Sequence, residues 1–181
     1  YDIPKPLAYV AGERFQTNAV TYVTASHVNV KHNGIKINFL YEQPLIPLSS
    51  GVKVDMRDEV LEFYQNYLNG VFHGVGNGKR AVVDSLYGTS SGLSQRIFED
   101  LGFTVAGLHS YIDRRFRRLT DNAPDPHELK NLEELMALTK AWGDFGVALD
   151  GDADRVSIIG EDGEKITEDE ITMIIAEYLI P

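Results

Sequence analysis

Apolar and polar positions alternate along the 181 residues in two distinguishable rhythms. Leu7, Val10, Ala11 and Phe15 recur at helical spacing after an early proline, which predicts a short helix over 4–15. Residues 19–23, Ala-Val-Thr-Tyr-Val, are β-branched and aromatic in the manner of a buried strand. They run straight into Thr24-Ala25-Ser26-His27, which puts Ser26 on a strand-end loop, where α/β sheets usually carry their chemistry. Asn33-Gly34 is a turn signal ahead of a second strand over 35–40. Residues 41–54, with Pro44, Pro47 and Gly51, read as an irregular connection. Residues 56–68 form an amphipathic helix, and the four glycines of 70–78 a linker.

From there strands and helices alternate. Strands are predicted over 80–86, 103–108, 145–149 and 156–160, with helices over 90–101, 127–142 and 167–179. Thr167 and Glu170 form the sequence signature of a capping box at the start of the last helix. Such alternation predicts an α/β fold: three-layer α/β/α domains with mixed, largely parallel sheets covered by helices on both faces.

Composition narrows the partners. With 43% hydrophobic residues the chain can bury a real core, and its length suits one domain or two small ones. A formal charge of −10, from 27 acidic against 17 basic residues, argues against a nucleic-acid partner and makes a divalent cation a more natural companion. There are no cysteines, so disulfides, thiolate nucleophiles and thiolate zinc sites are excluded, in keeping with a cytoplasmic setting. No stretch of about 18 apolar residues suggests a membrane span, and the start lacks the pattern of a signal peptide. The first residue is Tyr1, which suits a start inside a longer gene product.

Asp150-Gly151-Asp152-Ala153-Asp154-Arg155 lies between two apolar strands. Three carboxylates at alternate positions, separated by small residues, converge only if the backbone turns tightly, and they repel one another unless a cation sits among them. Hard oxygen donors favour Mg²⁺ or Ca²⁺ over zinc or copper. The competing reading is a solvated turn, Asp and Gly being ordinary turn residues. An EF-hand calcium loop also matches at ligand positions one, three, five and twelve, the last being Glu161. It fails at the sixth, where Arg155 replaces the required glycine, and in its strand neighbours.

Ser26 alone would mean little, since a serine after a strand is more often a cap or turn residue than a nucleophile. The two loops together resemble those of the α-D-phosphohexomutase superfamily, the phosphomannomutases, phosphoglucomutases and phosphoglucosamine mutases. Thr24-Ala25-Ser26-His27 carries its phosphoserine-loop pattern, with Asn33-Gly34-Ile35-Lys36 at the family's spacing, and 150–155 is its metal loop. Pro4-Lys5-Pro6 stands in place of the usual Pro-Thr-Pro. Val82-Val83-Asp84, Pro124-Asp125-Pro126 and Asn131-Leu132 extend the likeness over nearly the whole chain.

The resemblance implies phosphoryl transfer between hexose 1-phosphate and 6-phosphate through a phosphorylated Ser26, with Mg²⁺ held by Ser26, Asp150, Asp152 and Asp154. A phosphoserine adds about −1.5 to −2 charge beside three carboxylates, which only a divalent cation makes tenable. Lys36 matches the family lysine near the transferred group, Arg155 the metal-loop arginine that grips phosphoryl oxygens, and His27 orients the loop or reacts. For Lys36 and Arg155 the competing reading is a surface salt bridge.

Val28-Asn29 replaces the common Asn-Pro after the histidine, and Ser85-Leu86-Tyr87-Gly88 departs from the family's glycine-rich turn. On the family pattern, 1–55 is the C-terminal part of an incomplete phosphoserine-loop domain and 56–181 the metal-loop domain. The Gly-Glu-x-Ser-Gly and Arg-x-Ser-Gly-Thr loops are not found, so the missing domains are expected partners and the fragment is expected to be inactive alone. Arg114, Arg115, Arg117 and Arg118 read as a solvated face, with attraction of phosphosugars as the sharper alternative. A non-catalytic Ca²⁺/Mg²⁺ binding module and a structural remnant are the readings from other classes.

Overall fold

The computed structural model describes residues 3–40 and 55–180. The expected irregular connection over 41–54 lies outside them. Helix α1 (Lys5–Arg14) is followed by an antiparallel pair, β1 (Ala19–Thr24) and β2 (Gly34–Phe39), with Val23 opposite Ile35 and Thr24 opposite Gly34. After α2 (Arg57–Phe72) come β3 (Arg80–Asp84), α3 (Leu93–Asp100) and β4 (Thr104–Leu108). A short 3₁₀ turn (Thr120–Asn122) precedes α4 (Leu129–Trp142), β5 (Phe145–Leu149), β6 (Val156–Ile159), β7 (Lys165–Ile166) and α5 (Glu168–Leu179).

The last five strands form one mixed sheet in the order β4-β3-β5-β6-β7. β3 is parallel to β4 and β5, whereas β5-β6 and β6-β7 are antiparallel. Successive β3 side chains face opposite sides, as the pleat requires. Val82 joins Leu132, Leu135, Ala148 and Ile159 under α4, and Ala81 and Val83 join Val147 and Phe98 on the α3 side. Helices on both faces make this unit the expected three-layer α/β/α fold.

Several element ends differ from the sequence expectation for local reasons. α2 continues through Gly70 to Phe72, since glycine inside a helix costs only about 1 kcal/mol. The linker is correspondingly shorter; within it a Cβ on Gly76 would lie 2.4 Å from the Gly102 carbonyl carbon, so no larger residue fits. β3 stops at Asp84 because Leu86 and Tyr87 turn into left-handed backbone (φ 41° and 59°). α3 begins only at Leu93, after the left-handed Gly92. The capping box is present: the Glu170 N–H donates to Thr167 Oγ1 at 3.2 Å, and the Thr167 N–H donates to Glu170 Oε2 at 2.8 Å. Among the described residues no helix is long and apolar enough to cross a membrane.

Candidate active site and metal centre

Ser26 stands on the turn leaving β1, in left-handed backbone (φ 55°). Its N–H donates to Thr24 Oγ1 at 2.7 Å, a side-chain partner that replaces the ladder partner lost where the strand ends. The carboxylate loop, 150–155, is the hairpin turn joining β5 to β6, so it sits at the carboxyl end of the parallel strands. Glycine at 151 lets the two loops meet: a Cβ there would lie 2.8 Å from both the Ser26 carbonyl oxygen and Pro124 Cγ. Behind it, Thr89 donates its N–H (2.9 Å) and hydroxyl (3.1 Å) to the Gly151 carbonyl. Asn29 of the serine turn donates to the Asp121 carbonyl, a second tie across the gap.

The polar chain across this gap is continuous. Ser26 Oγ donates to Asp150 Oδ2 at 3.3 Å, although 124 positions separate the two in sequence. His27 Nδ1 is 3.4 Å from Ser26 Oγ, and its Nε2 is 3.3 Å from Arg155 Nη1. A guanidinium only donates, so Nε2 must accept and Nδ1 carries the imidazole proton toward the serine. Hydrogen bonds therefore run from Arg155 through His27 and Ser26 to Asp150.

Asp150 is fully buried, and its Oδ1 accepts from the N–H groups of Asp154 (2.9 Å) and Arg155 (3.1 Å). Burial, then the charge of Asp152, push its carboxyl up to about 7. Asp154 is affected oppositely: burial raises it, but the ammonium groups of Lys5 and Lys36 prevail and hold it below the usual range. Lys36 Nζ lies 3.4 Å from both Asp152 Oδ2 and Asp154 Oδ2.

The donor set suits a hard divalent cation. Asp150, Asp152 and Asp154 each offer one oxygen, all within 4.8 Å of one another. Ligands about 2.1 Å from an octahedral Mg²⁺ stand about 3 Å apart when adjacent, so the three carboxylates would draw inward to share one ion. Asp152 Oδ1 is buried and has no hydrogen-bond partner among the described residues. An orphaned buried carboxylate oxygen is costly in a mere turn, and a cation held by the triad would satisfy it. The EF-hand look-alike finds no support: strands flank the loop, and Glu161 lies past the end of β6.

Ser26, His27, Lys36, Asp150, Asp152, Asp154 and Arg155 thus lie at one place in the fold. The arginine-rich stretch adds an aromatic contact, Phe116 Cζ approaching to 3.6 Å of a Cβ placed on Gly151. Arg117 is exposed and pairs with Asp113 at 3.6 Å, as a solvated face would. Sequence reasoning missed Lys5, whose ammonium pairs with Asp154 Oδ2 and whose N–H donates to the Asp152 carbonyl at 2.7 Å. The available signal was the lysine standing where the usual motif has threonine.

Residues 62–163 match a family model described as phosphoglucomutase/phosphomannomutase, alpha/beta/alpha domain II. A phosphomannomutase/phosphoglucomutase of Pseudomonas putida is 29% identical over 98% of this chain and 41% of that protein. A phosphoglucosamine mutase of a Thermoanaerobacter species is 29% identical over 96% of this chain and 42% of that protein. The chain therefore spans about two fifths of the length of these relatives. The crystal structure of a phosphoglucomutase/phosphomannomutase family protein from Burkholderia thailandensis has the same fold, with a TM-score of 0.76 at 23% identity, over 98% of this chain and 43% of that one.

Proposed function

This chain belongs to the phosphoglucomutase/phosphomannomutase family, matched over its α/β/α domain II, and from that premise we propose that Ser26 carries the phosphoryl group of a hexose-phosphate mutase. The observation that carries the reading is the 3.3 Å contact between Ser26 Oγ and Asp150 Oδ2, which sets a hydroxyl against the carboxylate triad.

In the proposed reaction the bond from phosphorus to Ser26 Oγ breaks as a bond to a sugar hydroxyl forms, and a proton moves the other way. The bisphosphorylated sugar then reorients and returns its other phosphoryl group to Ser26. Asp150, Asp152, Asp154 and the phosphorylated Ser26 are the group that would hold Mg²⁺, which when bound withdraws charge from the phosphoryl oxygens. Lys36 is placed to meet negative charge developing on the transferred group, and Arg155 to grip its oxygens. His27, donating from Nδ1, keeps the serine oxygen aimed at the triad. In the same reading, 1–55 is the end of the phosphoserine-loop domain and 56–181 the metal-loop domain. Sugar choice and reorientation then belong to the remaining domains of the longer relatives.

Mass spectrometry of the chain treated with a hexose 1,6-bisphosphate tests this. One phosphate should map to Ser26 and be absent in Ser26→Ala. A phosphate located elsewhere, or none, counts against the serine. Turnover of glucose 1-phosphate or mannose 1-phosphate by this chain alone is expected to be little or none.

A further inference from the structure

We propose that Lys5 sets the metal affinity of this site by competing with a divalent cation for Asp154. The inference rests on the reading of the aspartate triad as a metal site. Three features build Lys5 into the triad. Its ammonium engages Asp154 Oδ2, with the lysine side chain only 15% exposed. Its N–H donates to the Asp152 carbonyl at 2.7 Å, which ties its main chain to the carboxylate loop itself. Pro4 and Pro6 fix the backbone torsions on either side, and the Tyr9 ring, 5.6 Å from Nζ, lies beside the ammonium.

The charge balance follows from these contacts. With all three carboxylates ionised, as cation binding requires, the triad carries −3 against the two ammonium groups of Lys5 and Lys36, which engage Asp152 and Asp154 and leave a net −1. A threonine at position 5 is too short to reach Asp154 and leaves −2. A dication entering beside Lys5 meets a smaller field, a neighbouring positive charge and an oxygen already engaged. Asp152 Oδ1, by contrast, is buried with no hydrogen-bond partner among the described residues, so a cation there displaces nothing. The competition therefore falls on Asp154, and it should make Mg²⁺ binding weaker here than in a chain with the usual Pro-Thr-Pro.

Calorimetric titration of Mg²⁺ into the unphosphorylated, metal-stripped chain decides this. Lys5→Thr and Lys5→Gln should each bind Mg²⁺ about tenfold or more tightly than the wild type, and Lys5→Arg, which keeps the charge, close to the wild type. The glutamine variant keeps most of the stem and guards against a folding defect peculiar to threonine. Lys130→Thr, at an exposed lysine outside the triad, should change nothing. Equal affinity of wild type, Lys5→Thr and Lys5→Gln, or weaker binding by both variants, overturns the inference and leaves the metal site standing. Absence of Mg²⁺ binding in all of them overturns the triad as a metal site and the inference with it.

Discussion

Gly88 and Gly151 meet backbone to backbone: a Cβ on Gly88 would lie 2.9 Å from both the Cα and the carbonyl oxygen of Gly151. Each glycine lets one further segment close on the carboxylate loop, the β3–α3 turn through Gly88 and the serine turn through Gly151. Gly88→Ala should push the loop away at a cost of about 1–3 kcal/mol, read by urea denaturation. Thr89→Val, which removes only the hydroxyl bond to the Gly151 carbonyl, should cost less, about 0.5–1.5 kcal/mol.

Ala153 sits in the same loop with φ 57°. A left-handed non-glycine residue costs roughly 1–2 kcal/mol, whereas glycine gives back about 0.5–1 kcal/mol of that through the freedom of its unfolded chain. Ala153→Gly should therefore stabilise the protein by up to about 1.5 kcal/mol. A denaturation midpoint that falls would show the loop relieving the strain in another way.

His109 lies above the end of β3, its Nδ1 2.9 and 3.0 Å from the two oxygens of the fully buried Asp84. Burial pulls the imidazole down, but the bond to Asp84 and the charges of Asp84 and Glu134 outweigh it, so its pKa is raised. A raised histidine adds stability that is full below its unfolded pKa, about 6.5, and is lost as pH rises through the folded value. The stability gap between wild type and His109→Asn should accordingly be largest at acid pH and narrow above about pH 6.5. A gap that widens with pH would contradict the assignment.

The capping box predicts a local effect. Helix α5 has no buried residue, so little of its order is shared with the core. Thr167→Ala should cost about 0.5–2 kcal/mol of helix stability, visible as faster amide exchange within α5 and little change in global unfolding.

What was legible in the sequence follows how local its cause is. The capping box, the ends of β5 and the two loops were readable because each is set by neighbours a few residues apart. The early end of β3 was not, because nothing in Leu86 and Tyr87 signals left-handed backbone; the turn is held by partners such as the His109 carbonyl, 3.2 Å from the Tyr87 N–H. The antiparallel β5-β6 pair was available in principle, since six residues cannot make a parallel crossover. β7 has two residues and therefore no pattern. Within the site, Ser26, Lys36 and the aspartates carried a motif, but Lys5 did not. Its role depends on a contact across 149 positions of chain, and only folding reveals it.

The unpartnered oxygen of Asp152 has a consequence for anyone engineering this protein. A redesign scored on folding alone would replace that residue early, with a neutral side chain that repels neither of its neighbours, and would gain a hardier molecule. On the metal-site reading proposed above, thermal hardiness and cation binding part company at that position. Libraries selected for heat tolerance should thus hold position 152 fixed.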